Sequence, residues 1–131
     1  MPGTIQQCVR LPESADELFD SYLDPGRHAA ITGQAVRIAA APGSEFRAFD
    51  GMLSGRIVAV IPKRLIVQTW RAGHWTKKGA DSILILAFSG DRAYGQIDLV
   101  HVNVADHDFE DVSKGWEKYY WAPWRKFLGQ P

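Results

Sequence analysis

Two spacings divide this chain. Over residues 14–33 and again over 108–128, apolar positions recur every three or four residues, the period of one helix face. Over 34–104, and earlier over 5–11, they recur every second residue, as along a strand with one buried side. The first strand, 5–11, stops at Pro12. Ser14-Ala15-Asp16-Glu17 then reads as a capping box, and Leu18, Phe19, Tyr22 and Leu23 form the buried face of a short helix. Asp24-Pro25 is an N-cap followed by a residue preset for the first helical turn. It opens a second helix, 25–31, which Thr32-Gly33 closes. The period of two then predicts strands at 35–40, 45–49, 52–61, 65–71, 82–88 and 94–104. Asp50-Gly51 is a strong hairpin signal. The run SILILAF at 82–88 is apolar on both sides, as in a central strand, and Gly55 marks a bend that helps the sheet curl.

The last segment, DFEDVSKGWEKYYWAPWRKFL at 108–128, organises the rest. Phe109, Val112, Trp116, Tyr119 or Tyr120, Pro123 and Phe127 make its stripe. Acids crowd its start and Lys118, Arg125 and Lys126 its second half, as the helix dipole favours. Pro123 predicts a kink or break over 119–122. A helix of about 20 residues would run about 30 Å, enough to cross a small domain. The order is strand, two short helices, six strands, long C-terminal helix. It predicts an α+β domain, a curved antiparallel sheet gripping the helix, with room for an internal cavity between them.

Composition narrows the possibilities. At 131 residues the chain is expected to form a single domain, 1–131. Lys plus Arg equals Asp plus Glu at 15 each, so no basic excess points to nucleic acid or an anionic membrane. No apolar run reaches the ~20 residues of a membrane span, and no signal pattern opens the chain. Cys8 is the single cysteine, which suits a reducing, cytoplasmic setting. Phosphate-loop fingerprints and close metal-ligand spacing are missing, so no cofactor or metal is expected.

Several segments, taken in order, resemble a known group. They are YLDPGRHAAITG at 22–33, the FDG turn at 49–51 with LSGRIV after it, LIVQTWR at 65–71 with HW soon after, and GWEKYYWAPWRKFL at 115–128. Together they resemble the helix-grip superfamily of lipid-transfer and pollen-allergen-like domains (START-like, SRPBCC). Within it they resemble the branch named after the activator of the ATPase of the ninety-kilodalton heat-shock chaperone. The resemblance implies the same fold and a choice of roles: ligand carrier, co-chaperone or stress-response module, or cyclase- or hydrolase-like enzyme. The eukaryotic co-chaperone carries a separate N-terminal chaperone-binding domain, and this chain is expected to lack it.

The five tryptophans are the most suggestive residues. Trp70, His101, Trp116 and Tyr120 are expected to line the cavity, with His74 and Trp75 near its mouth. His101 shares strand parity with Ile97 and Leu99, so it is either a satisfied core histidine or a ligand contact. Trp121 and Trp124 fall off the helix stripe. They form either an exposed patch that meets a partner, or a pair covered by the domain's own loops, such as 72–80. His107 and the neighbouring acids are read as caps of the long helix. Ser54, Ser82 and Ser89 have no evident base. An acid–base pair of His101 or His74 with Asp98 or Glu45 would need the cavity to bring them together. The leading expectation is a non-enzymatic domain that holds a small apolar molecule, as a monomer or a homodimer. The alternatives are a chaperone or other protein partner, or an enzyme using the same cavity.

Overall fold

The alternation over 45–104 closes into one antiparallel sheet, and the computed structural model describes residues 2–76 and 79–129 of the chain. The strands are β1 (Gly3–Leu11), β2 (Glu45–Ala48), β3 (Leu53–Ile61), β4 (Leu65–Ala72), β5 (Ser82–Gly90) and β6 (Gly95–Val104). They lie in the order β1-β6-β5-β4-β3-β2. Two helices, α1 (Ala15–Leu23) and α2 (Pro25–Thr32), follow β1. The inner face presents Ile66, Trp70, Leu84, Leu86, Ile97, Leu99 and Val9, all buried. The result is the α+β helix-grip arrangement that the pattern predicts.

Five strands, not six, lie between α2 and the C-terminal helix. Residues 35–40 form no strand. Arg37 makes a single bridge to Arg47 across the sheet edge. Their partner, β2, is only four residues long, and a ladder cannot extend along so short an edge. Ile38 still packs into the core.

The helix signals act as their chemistry requires. Ser14 Oγ accepts from the Glu17 amide at 3.2 Å. Glu17 does not complete the box; its carboxylate pairs with Arg27 at 3.1 Å. Asp24 Oδ1 accepts from the amides of Gly26 and Arg27, and Gly33 closes α2 at φ 79°. Gly55 has a stricter role than a bend. A Cβ there would lie 1.9 Å from the Thr69 carbonyl oxygen, so only glycine lets β3 and β4 approach this closely. The register shift falls just after it, between Ile57 and Ala59.

The long C-terminal segment is three pieces in line: α3 (Phe109–Trp116), a π-helical turn (Glu117–Trp121) and α4 (Ala122–Phe127). The irregularity sits where Pro123 predicts it. Pro123 has no amide hydrogen to give the carbonyl one turn back, and its ring crowds that turn. The turn widens instead, with Ala122 N–H donating to the Glu117 carbonyl.

Candidate functional site

The wide turn decides which side chains face the sheet. Val112, Trp116, Tyr120 and Trp124 are spaced by four, and at 3.6 residues per turn each step would drift by about 40° around the axis. The extra residue in the π turn takes up that drift, so all four are buried. Trp121 is buried too, its Nε1–H donating to Gln7 Oε1 of β1 at 2.8 Å. Of the two alternatives for Trp121 and Trp124, an exposed patch or a covered pair, the structure has the second: the domain covers both. The cover includes β1 and α2. Tyr119 and Phe127, two positions of the predicted stripe, are the exposed ones.

Between the helix and the β2–β3 end of the sheet lies a cleft of ≈ 770 Å³, open on one side. Phe49, Leu53, Trp70 and Ala72 line the sheet wall, and Val112, Trp116, Tyr119 and Tyr120 line the helix wall. His74, Asp108, Asp111, Lys114 and Lys118 border it with charge. Phe49 reaches the wall from a strained turn. Its φ is 52° and that of Asp50 57°, a left-handed backbone uncommon for bulky residues. Its ring meets Tyr119 and Tyr120 edge-on, at 5.6 and 5.8 Å.

Of the six residues expected at the cavity, Trp70, His74, Trp116 and Tyr120 border this cleft, and His101 and Trp75 do not. His101 lies behind Trp116 in a closed relay. Trp116 Nε1–H donates to His101 Nδ1 at 3.2 Å, which leaves the proton on Nε2. That nitrogen donates to Ser82 Oγ at 2.8 Å, and Ser82 Oγ donates to the Trp70 carbonyl at 2.6 Å. Burial holds the imidazole neutral, its pKa pushed down to about 4. Ser82 thus does have a histidine beside it, but the histidine is donor rather than base. Asp98 lies on the sheet's outer face with Gln96, and Glu45 pairs with Arg37 and Arg47, so neither joins a histidine.

Trp75 is buried because its loop is tied at both ends. Arg71 donates to the carbonyls of Thr76 and Gly79 and pairs with Asp81 at 2.7 Å. Trp75 Nε1–H donates to Asp108 Oδ2 at 2.8 Å, the same oxygen that His74 Nε2 meets at 3.0 Å. Asp108, at the N-cap position of α3, makes no side-chain cap. It fastens the loop to the helix. His107 stands 6.3 Å from His74, ring to ring, and among the described residues no three metal-ligating side chains converge.

Sequence reasoning missed His28. Its Nδ1–H donates to the Tyr22 carbonyl at 2.8 Å, and its Nε2 accepts from Tyr120 OH at 2.9 Å. Tyr22 OH in turn donates to Gln68 Oε1. Burial lowers the His28 pKa to about 4 and raises those of both tyrosines. The only signal was its place four residues after the Asp24 cap, where its burial depends on a helix 92 residues away.

Two indole nitrogens, Trp70 Nε1 and Trp124 Nε1, are buried without an acceptor among the described residues. All five tryptophans form one line. The ring centroids are 5.5 Å apart from Trp75 to Trp70, 6.4 Å to Trp116, 5.6 Å to Trp121 and 6.3 Å to Trp124.

Known proteins share this framework. An HSP90 activator from Plasmodium falciparum superposes with a TM-score of 0.87 at 18% identity, covering 98% of this chain and 97% of that one. The Aha1 dimer from Colwellia psychrerythraea gives 0.79 at 12% identity, covering 96% of each. In sequence, the chain is 25% identical over 103 residues to an activator of 90 kDa heat shock protein ATPase homolog from Dictyostelium discoideum. That match covers 78% of this chain but 27% of the relative's length. The family model for Activator of Hsp90 ATPase homolog 1-like protein matches residues 13–125, and the chain belongs to that family.

Proposed function

We propose that this domain binds a small, largely apolar molecule in the cleft between Trp70 of the sheet and Trp116 and Tyr120 of the helix. One observation carries the reading: a cleft of ≈ 770 Å³ lined mainly by aromatic and aliphatic side chains from sheet and helix, with a smaller set of polar and charged groups among them. That size and that lining are typical of small-molecule sites, where a few polar groups orient the ligand. The buried histidines argue for binding over acid–base chemistry, since both nitrogens of His28 and of His101 are already committed. Native mass spectrometry of freshly purified protein, against its denatured mass, tests this. A reproducible excess lost on denaturation is expected; protein that is ligand-free from every host and growth condition would overturn the reading.

A second reading is a protein-interaction module. Leu65, Val67, Ile83, Ile85, Val100 and Val102 are only partly buried and lie together on the outer face of the sheet, and Ile61 at its margin is exposed. Relatives named as activators of a heat-shock ATPase make the chaperone the first partner to try, although the chain spans about a quarter to a third of their length. The same native spectrum separates monomer from dimer.

A further inference from the structure

The sheet ends in two edges, and the chain treats them differently. β2 is four residues long, carries Glu45 and Arg47, and is bridged in both directions by the backbone of Arg37. Short length, charge and a covering segment are the devices that keep an edge from pairing with another chain. β1, at the other end of the sheet, has none of them. It runs for nine residues, Gly3–Leu11, with no proline and a single charge, Arg10. At its register shift β1 advances from Gly3 to Ile5 while β6 advances from Val104 to His101, so the extra residue belongs to β6 and β1 itself runs without a bulge. Among the described residues, no backbone group of residues 3–10 has a backbone partner outside β6.

The strand's inner side is already filled by its own helix. The Phe109 ring lies where a side chain at Gly3 would go, and Gln7 bonds both the Ser113 carbonyl, at 2.9 Å, and the Trp121 indole. A foreign peptide added here would find free backbone but no bed for its inward side chains, the usual source of specificity in strand addition. A second copy of this chain arrives with its own helix over its own strand.

We infer that two copies pair through β1, antiparallel about a two-fold axis at Gln7. Gln7 is the midpoint of Gly3–Leu11, so every residue of the strand finds a partner. Gln6 faces the partner's Cys8, Ile5 faces the partner's Val9, and Arg10 faces the partner's Thr4, so no like charges meet. An antiparallel pair makes about one cross-strand hydrogen bond per residue, which gives about nine here, close to the about ten of an ordinary interface. The two six-stranded sheets join into one.

Sedimentation equilibrium measures the association, and Cys8, the chain's single cysteine, reports the register. In this pairing the two thiols are diagonal neighbours about 7–8 Å apart, too far for a disulfide and within reach of a short bis-maleimide. A dimer cross-linked through Cys8 is expected. Gln6→Lys with Cys8→Lys sets like charges opposite each other twice across the seam and should raise the dimer dissociation constant about tenfold. Gln6→Asp with Cys8→Lys sets opposite charges there and should bring it back to the wild-type value or below. Both side chains are exposed, so both variants keep the fold, which circular dichroism checks. A chain that stays monomeric at millimolar concentration overturns the inference and leaves the edge to some other chain. A dimer that the bis-maleimide does not link, or that the two double variants leave equally tight, forms through another face and overturns it too.

Discussion

Trp116 and Trp121 stand next to one another in the core, their rings stacked at 5.6 Å with an interplanar angle of 22°. Each loses a large buried surface and a satisfied N–H on truncation. Trp116→Ala and Trp121→Ala are therefore each expected to lower stability by about 3–5 kcal/mol, the usual range for large aromatic residues in a core. Urea denaturation checks this, and a wild-type midpoint for either variant would place that ring outside the core. Periodicity identified Trp116 and misjudged Trp121, for a definite reason. A straight helix puts residue 121 off the stripe, and only the π turn brings it inward. Likewise the alternation of β6 pointed His101 inward, but no pattern in the chain pairs it with Ser82, nineteen residues earlier. Parity gives a side chain's direction; its partners come from tertiary packing.

Among elements, the β3–β4 pair is the least forgiving. Gly55→Ala sets a methyl group against the Thr69 carbonyl, which backbone cannot avoid by changing rotamer. The loss should equal or exceed the about 1–3 kcal/mol typical of an overpacked core, and the β2–β3 wall of the cleft should lose amide-exchange protection before β5 and β6. Protection equal to wild type across β3 would show that the strands part easily there. Turns, caps and most strands were legible because each depends on local chemistry: Ser14 and Asp24 as caps, Asp50-Gly51 as a turn, Pro123 as the irregularity. Residues 35–40 were not, since a strand needs a partner as well as a pattern and β2 offers only four residues.

At the scale of the molecule, two buried imidazoles couple stability to pH. His28 and His101 are held neutral by burial, each with a pKa near 4, below the ordinary value of about 6.5. Between those values the unfolded chain binds more protons than the folded one. Their contribution is complete above about pH 6.5 and is lost as pH falls toward 4. The two together should remove about 4 kcal/mol between pH 7 and pH 5, at no more than about 1.4 kcal/mol per unit for each. Urea midpoints at the two pH values measure the loss. An NMR titration locates it, since His28 and His101 should remain neutral at pH 5; protonation of either by then would rule out the buried network it belongs to.

The line of five indoles has an optical consequence. With successive rings 5.5–6.4 Å apart, light absorbed by any one of them is within easy reach of its neighbours. The excitation then wanders along the seam between sheet and helix before it is emitted. The protein's intrinsic glow thus belongs to the whole row and is set by its dimmest member. A single quencher seated against Trp70 or Trp116 would darken all five.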